Sequence, residues 1–400
     1  MGTAGRGTAG GGTADRGATG AGATGKGARV VVVGGGYAGA MAANRLAGVR
    51  DIAEVVLVDE RATLVERIRL HQLVAGTGAA TRERADVLAP RVARRTGRAV
   101  RIGDGTVTLA DGEHLAFDRL VYAPGSGSRV TEQVPGAREH ALPIAVLEDA
   151  QRLRTALAAA GPDATVHVVG GGLTALEAAT EIAEARPGTR VRIVTAGPLG
   201  PGPGPVGRGR RALDRTLARL GVEVLESARV IEVADGKVVL ADGRHLRSDV
   251  TVWAAGFAVP DLARDSGLPV DDVGRLHVGP DLVCAADPRI VGAGDAVAVD
   301  GLPLRMTCQA ALPMGAHAAD VVAAGLRGRS PRPFGLAFVA QCVSLGRRSG
   351  MVLRVHDGTT PSSVLVAGRA GAVVKELVCR TTVWGLRTEA RHPGRYRWLR

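Results

Sequence analysis

Two stretches of the chain repeat one order of apolar runs, glycine loops and helical periodicity. The apolar run Arg29–Val33 ends in Gly34-x-Gly36-x-x-Gly39, and an alanine-rich stretch follows over about Tyr37–Ala47. The run Thr165–Val169 ends in Gly170-x-Gly172-x-x-Ala175 and leads into Leu173–Ala185. A short continuous apolar run closed by glycines reads as a buried strand, and the stretch after it as a helix packed on that strand. Second strands are expected at Glu54–Val58, ending at Asp59, and at Arg190–Thr195. The segments Asp104–Gly125 and Asp235–Gly256 share 13 of 22 positions without a gap. Each reads as a small antiparallel meander, the first turning at Asp111-Gly112, and each closes in an apolar strand, Leu120–Ala123 or Trp253–Gly256. The loops are offset by 136 residues and the meanders by 131, so a whole unit recurs.

This periodicity divides the chain into a first unit over 29–145, a second over 146–260, a return to the first over 261–325, and a C-terminal segment over 326–400. Helices are expected over Leu142–Ala160, Arg210–Leu220 and about Gln309–Gly325, with a strand running into Gly294-Asp295. The predicted class is α/β: two βαβ nucleotide-binding units, each with a β-meander, plus a C-terminal α+β segment without a repeat. Met1–Ala28 is built from Gly, Ala and Thr and cannot bury enough surface to offset its ordering entropy, so disorder is expected there.

Composition changes this picture little. The net charge of +12 invites a nucleic-acid reading, but the arginines are spread and no nucleic-acid-binding motif accompanies them, so none is expected. Lys26, Lys237 and Lys375 are the only lysines among 51 basic residues. No apolar run approaches the roughly 20 residues that span a bilayer, and no signal sequence opens the chain. The expected location is cytoplasmic, with peripheral contact at the inner membrane face as the alternative. Cys284, Cys308, Cys342 and Cys379 have neither metal-site nor CxxC spacing, so no metal and no dithiol relay are expected; Cys308 merits attention beside Gln309.

In a βαβ unit the first glycine permits the tight turn, the second lets backbone approach a diphosphate, and the third packs helix on strand. The helix N-terminus then faces the anion. Gly34, Gly36, Tyr37, Ala38 and Gly39 form this cradle in the first unit, and Asp59 stands 20 residues past Gly39, where a ribose hydroxyl would be met. Gly170, Gly172, Leu173, Thr174 and Ala175 form it in the second. There the second strand ends at Thr195, with no acid to repel a 2′-phosphate, and Arg208, Arg210 and Arg211 follow; NADPH is therefore expected to serve at least as well as NADH.

These motifs resemble the two-dinucleotide-binding flavoproteins that include the pyridine nucleotide–disulfide oxidoreductases, over about residues 29–325. The resemblance implies FAD on the first unit and NAD(P)H on the second. It implies cofactor contacts from Ala123 and Gly125, from Gly256, and from Gly294 and Asp295 of GAGDA, with Asp295 at the ribityl chain. It places Glu177 of GGGLTALEAATEIA where nicotinamide meets flavin, and Gln309 beside the flavin; these two are the candidate catalytic residues. Within the superfamily the chain is most similar to the type II NADH dehydrogenases, through Arg69–Gly76, Gln309–Ala311 and Leu345-Gly346-Arg347, although Pro313-Met314 stands where further glutamines are usual. A quinone is the implied electron acceptor. Another small acceptor, a ferredoxin, or a redox-responsive binding role like that of apoptosis-inducing-factor-type flavoproteins are the alternatives. The tryptophans Trp384 and Trp398 among arginines of the last stretch suggest weak contact with a membrane surface.

Overall fold

Valine-rich Ala28–Val33 is the central strand of a five-stranded parallel sheet, in the order Ile290–Gly292, Arg119–Tyr122, Ala28–Val33, Ile52–Asp59, Val92–Thr96. Both faces of such a strand are covered, which is why Val30, Val31 and Val32 are fully buried and the run is continuous rather than alternating. In the computed structural model the described residues are 1–2, 27–128, 130, 133–200, 205, 207–338, 340–356 and 360–399. The disorder expected for the N-terminal tail falls on residues 3–26 and lies outside them.

The second unit repeats the arrangement. Its sheet runs Ala141–Pro143, Val250–Trp253, Thr165–Val169, Arg190–Val194, Glu223–Leu225, again parallel. The two meanders occupy 99–116 and 230–247 as three-stranded antiparallel sheets. One boundary differs from expectation: Ala141–Pro143 forms an edge strand, and the helix begins only at Leu147, because Pro143 follows an extended residue and Val146 is itself extended.

Register decides what gathers at the sheet ends. Val33 pairs with Tyr122, and Tyr122 with Gly292, so the glycine loop, Pro124–Ser126 and Gly294-Asp295 leave the same edge. Val169 pairs with Trp253 and Val194, which brings together the second loop, Ala254–Gly256 and Thr195. Gly34 has φ +96°, and a Cβ there would stand 2.1 Å from the Ala123 carbonyl oxygen; at Gly39 it would stand 1.8 Å from that of Gly34. Only glycine fits either place.

The two units are tied in three ways. Gly127–Ser128 pairs antiparallel with Phe257–Ala258 where the chain crosses between them. Leu70, Val74 and Ala80, inserted in the first unit, belong to the apolar core of the second. The C-terminal segment forms an antiparallel sheet, Ala340–Ser344, Gly350–His356 and Thr360–Ala367, and a helix Gly368–Arg391. Its Val343, Leu345, Met351 and Leu353 enter the second core, while Val383 and Leu386 enter the first. The segment thereby closes one side of the space between the units.

Candidate functional site

Both glycine loops open onto one cleft of about 980 Å³. On its first wall lie Gly36, Tyr37, Ala38, Asp59, Ala123, Gly125, Gly294 and Asp295; on its second lie Gly170, Gly172, Leu173, Thr174 and Gly256; Glu177 and Gln309 also line it. Of the residues read from sequence, Gly34, Gly39 and Ala175 do not line it. Gly34 and Gly39 take up the contacts between strand, helix and neighbouring loop, and Ala175 is fully buried in the second core.

The first wall fits a dinucleotide. Helix Tyr37–Leu46 starts at Gly36 with no side-chain cap and no acid in its first turn. Its leading N–H groups therefore lack side-chain acceptors and face the cleft, as a diphosphate requires. Asp59 accepts from the Gly35 N–H at 2.6 Å and the Arg61 N–H at 2.9 Å, and pairs with Arg84 at 2.9 Å. Arg84 is buried, so its charge is disfavoured by burial and sustained by Asp59. Asp295 accepts from Ser126 Oγ at 2.7 Å and from Arg67 at 3.3 Å. Burial lowers the Arg67 pKa despite the Asp295 carboxylate, and Arg67 also donates to the Ala145 carbonyl.

The second wall repeats the uncapped start: helix Leu173–Ala185 begins at Gly172 without a side-chain cap or a first-turn acid. Thr195 is buried at the strand end, where a Cβ on Gly171 would meet its hydroxyl at 2.4 Å. The arginines expected near a 2′-phosphate are placed otherwise. Arg210 is committed to Glu226 through two 2.9 Å hydrogen bonds and to Asp214 at 2.7 Å, and neither it nor exposed Arg208 and Arg211 lines the cleft. An ion pair with a downstream acid absorbs the charge that sequence spacing offers to the nucleotide.

Between the walls stands a buried cluster. Lys375 Nζ, brought by the C-terminal helix, lies 2.8 Å from Glu177 Oε1, which also accepts from the Ser344 N–H at 3.0 Å. His71 Nδ1 is 3.8 Å from Glu177 Oε2. Burial works to raise the Glu177 pKa, but Lys375, His71 and the hydrogen bonds outweigh it and hold the carboxyl below its ordinary value. Burial opposes the Lys375 ammonium, and Glu177 more than offsets this, so its pKa rises. Burial pushes His71 down to about 4 and keeps it neutral near pH 7. Cys308 is pushed up to about 11 by burial and stays a thiol, so it supplies no thiolate nucleophile. Gln309 donates to the Ala340 carbonyl at 3.1 Å, joining the helix start to the C-terminal sheet.

A family profile for pyridine nucleotide-disulphide oxidoreductases matches residues 28–319. The chain belongs to this family. As an oxidoreductase of the pyridine nucleotide-disulphide family it uses FAD and NAD(P)H, and the two uncapped glycine loops fit that pair. An NADH dehydrogenase-like protein of Mycobacterium tuberculosis is 32% identical over 327 residues, covering 72% of this chain and 78% of that one. The type II NADH:quinone oxidoreductase of the same organism is 28% identical over 357 residues, covering 76% and 74%. The solved structure of the sulfide:quinone oxidoreductase of Aquifex aeolicus superposes with a TM-score of 0.74 at 18% identity, over 92% of this chain and 93% of that one, a likeness of fold.

Sequence reading missed Arg67, Ser126, Arg84, His71 and Lys375 as members of the site. Only Lys375 left a signal: a lysine is rare in a chain that otherwise uses arginine for positive charge. An ammonium is compact and exchanges its proton more readily than a guanidinium, which suits a buried partner for a carboxylate.

Proposed function

We propose that this oxidoreductase takes hydride from NAD(P)H into FAD and delivers the electrons to a quinone. The observation that carries the reading is the cleft: two diphosphate cradles face it, and its further lining includes the apolar side chains Met306, Phe338, Val355 and Val378, which suit a planar acceptor. The similarity to a type II NADH:quinone oxidoreductase supports the same acceptor.

When bound, FAD supplies the redox chemistry, accepting two electrons as hydride and releasing them to the acceptor. The chain's residues position and exclude. Gly36–Ala38, Asp59, Ser126 and Asp295 hold the flavin nucleotide; Gly170–Thr174 and Gly256 hold the nicotinamide nucleotide. Lys375 keeps a proton on Nζ at the cleft wall, and Glu177 orients that ammonium. A quinone oxygen that gains charge is stabilised by that ammonium while its proton comes from the medium. Anaerobic titration of the FAD-loaded protein with NADH or NADPH should bleach the flavin absorbance, and adding menadione should restore it. Bleaching without restoration by any quinone would remove the quinone from the reading.

Both nucleotides are expected to serve, because Thr195 is neutral where an acid would exclude a 2′-phosphate. Thr195→Asp and Thr195→Glu should lower kcat/KM for NADPH at least tenfold with NADH less affected, since like charges about 4 Å apart repel by about 4 kcal/mol at an effective dielectric of ~20 before salt screening. Equal loss with both nucleotides would count against the strand end as the selectivity position.

We also propose peripheral membrane contact, through a surface different from that read in the sequence. No helix among the described residues is long and apolar enough to cross a membrane. Trp398 packs against Phe334 and His317 and donates to the Gly335 carbonyl, so it is not available to lipid. On helix Gly368–Arg391, however, Val373, Leu377 and Trp384 are 60%, 54% and 66% exposed, and their spacing puts them on one face. Arg380, which also pairs with Glu376 at 2.9 Å, and Arg391 lie along that face, and each basic residue near an anionic surface adds about 1 kcal/mol. Wild type should co-sediment with anionic vesicles at low salt, less so at high salt, and Leu377→Ser with Trp384→Ser should abolish binding. Equal sedimentation of the variant would exclude this face.

A further inference from the structure

Among the described residues, five arginine and lysine side chains line the cleft. Four are matched by carboxylates: Arg61 by Glu148, Arg67 by Asp295, Arg84 by Asp59 and Lys375 by Glu177. Arg305 is the exception. Among the described residues it has no hydrogen-bond acceptor and no counter-ion, and burial lowers its pKa with no neighbouring charge to oppose the shift. A partly buried guanidinium without a partner in a cleft that pairs every other cation is a site left for an anion.

Its position says which anion. Arg305 lies in the loop entering helix Cys308–Leu326, which has no acid in its first turn, so the helix start adds to the positive potential. Met306, next to it in sequence, and Phe338, Val355 and Val378 belong to the apolar lining assigned above to the acceptor. The phosphate cradles lie elsewhere, at the starts of helices Tyr37–Leu46 and Leu173–Ala185. A cation set among apolar groups matches a flat aromatic body that carries one acidic substituent.

We propose that Arg305 selects the electron acceptor, and that the acceptor is a quinone bearing an anionic substituent such as a carboxylate. This rests on the reading that a quinone is reduced in this cleft. The reaction balances: NAD(P)H supplies two electrons and one proton, a second proton comes from the medium, and the quinone becomes a quinol while its acidic substituent stays ionised against Arg305.

The test uses FAD-loaded wild type, Arg305→Gln and Arg305→Lys with menadione and a sulfonated naphthoquinone. Wild type should favour the sulfonated acceptor, and the ratio of kcat/KM for sulfonated over neutral quinone should fall tenfold or more in Arg305→Gln and recover in part in Arg305→Lys. Calorimetric titration with naphthalene sulfonate, which is redox-inert, should show binding to wild type that Arg305→Gln loses. Equal losses with both quinones, a raised KM for NAD(P)H instead, or no naphthalene sulfonate binding to wild type would each overturn the assignment. Failure of wild type to reduce either quinone with NAD(P)H would sink the quinone reading itself, whereas the calorimetry reports on Arg305 without turnover.

Discussion

Protein carrying Asp295→Ala is expected to lose most of its FAD on gel filtration, while wild type stays yellow at one FAD per chain. Asp295 accepts hydrogen bonds from Ser126 and Arg67 on the wall assigned to the flavin. Its removal deletes a carboxylate that could accept from the ribityl hydroxyls, and it also leaves Arg67 without its counter-charge. Hydrogen bonds to charged groups contribute about 1.5–3 kcal/mol each, so the dissociation constant should rise by about 10- to 100-fold. Asp295→Asn, which keeps an acceptor oxygen but not the charge, should fall between. The measurement is the flavin-to-protein absorbance ratio before and after dilution, with thermal unfolding of the apoprotein as the control for folding. Retention of FAD by the alanine variant at the wild-type level would refute the role given to this residue, and a colourless wild type that cannot be reconstituted would end the flavoprotein account.

The second large effect is expected at the buried ion pair. Lys375→Met leaves Glu177 with the Ser344 N–H and a neutral His71 as company. Burial then acts on the carboxyl without Lys375 to oppose it, so the Glu177 pKa should move above its ordinary value instead of below. Breaking one side of a buried pair costs about 3–5 kcal/mol, whereas Lys375→Met combined with Glu177→Gln should recover much of that stability. Acceptor reduction should slow by about 100-fold or more through loss of the ammonium that stabilises charge on the acceptor oxygen, with hydride transfer from NAD(P)H changed far less. Stopped-flow measurement of the two half-reactions separates these outcomes; equal slowing of both would mean that the pair only holds the cleft together.

The same pair fixes a pH dependence. Glu177 has a folded-state pKa depressed below its unfolded value. Its contribution to stability is therefore complete above the unfolded carboxyl pKa near 4.3 and is lost as pH falls through the depressed folded value. His71 is also lowered, to about 4, so folding favours its neutral form; that contribution is complete above about pH 6.5 and declines as pH falls from 6.5 toward 4. Both slopes have one sign, and unfolding measured from pH 7 to 2 should show falling stability. In Glu177→Gln the part below pH 4.3 should flatten.

How much of this was legible in sequence depends on distance along the chain. Gly34–Gly39 with Asp59 and Gly170–Ala175 with Thr195 each lie inside one βαβ unit, where strand length and helix start set the geometry locally. Asp295 of GAGDA was placed by its resemblance to a family motif, and it stands three residues past the strand Ile290–Gly292, which pairs with Arg119–Tyr122. Arg208, Arg210 and Arg211 were misread for the opposite reason. Spacing brought them near the second loop, but Glu226, at the end of another strand, pairs with Arg210. Trp398 was misread likewise, since its partners Phe334 and His317 lie in distant segments.

By itself, the sequence determined the α/β class and the duplicated unit, because hydrophobic periodicity and glycine loops act within a few tens of residues. Tertiary structure alone decided which charges meet. It set Lys375 of the last helix against Glu177 of the second unit, Arg67 against Asp295, and Arg84 against Asp59, and among the described residues it left Arg305 without a partner. Side-chain pairing across such separations follows from how two cores and a C-terminal segment pack together, and no local pattern of residues encodes that packing.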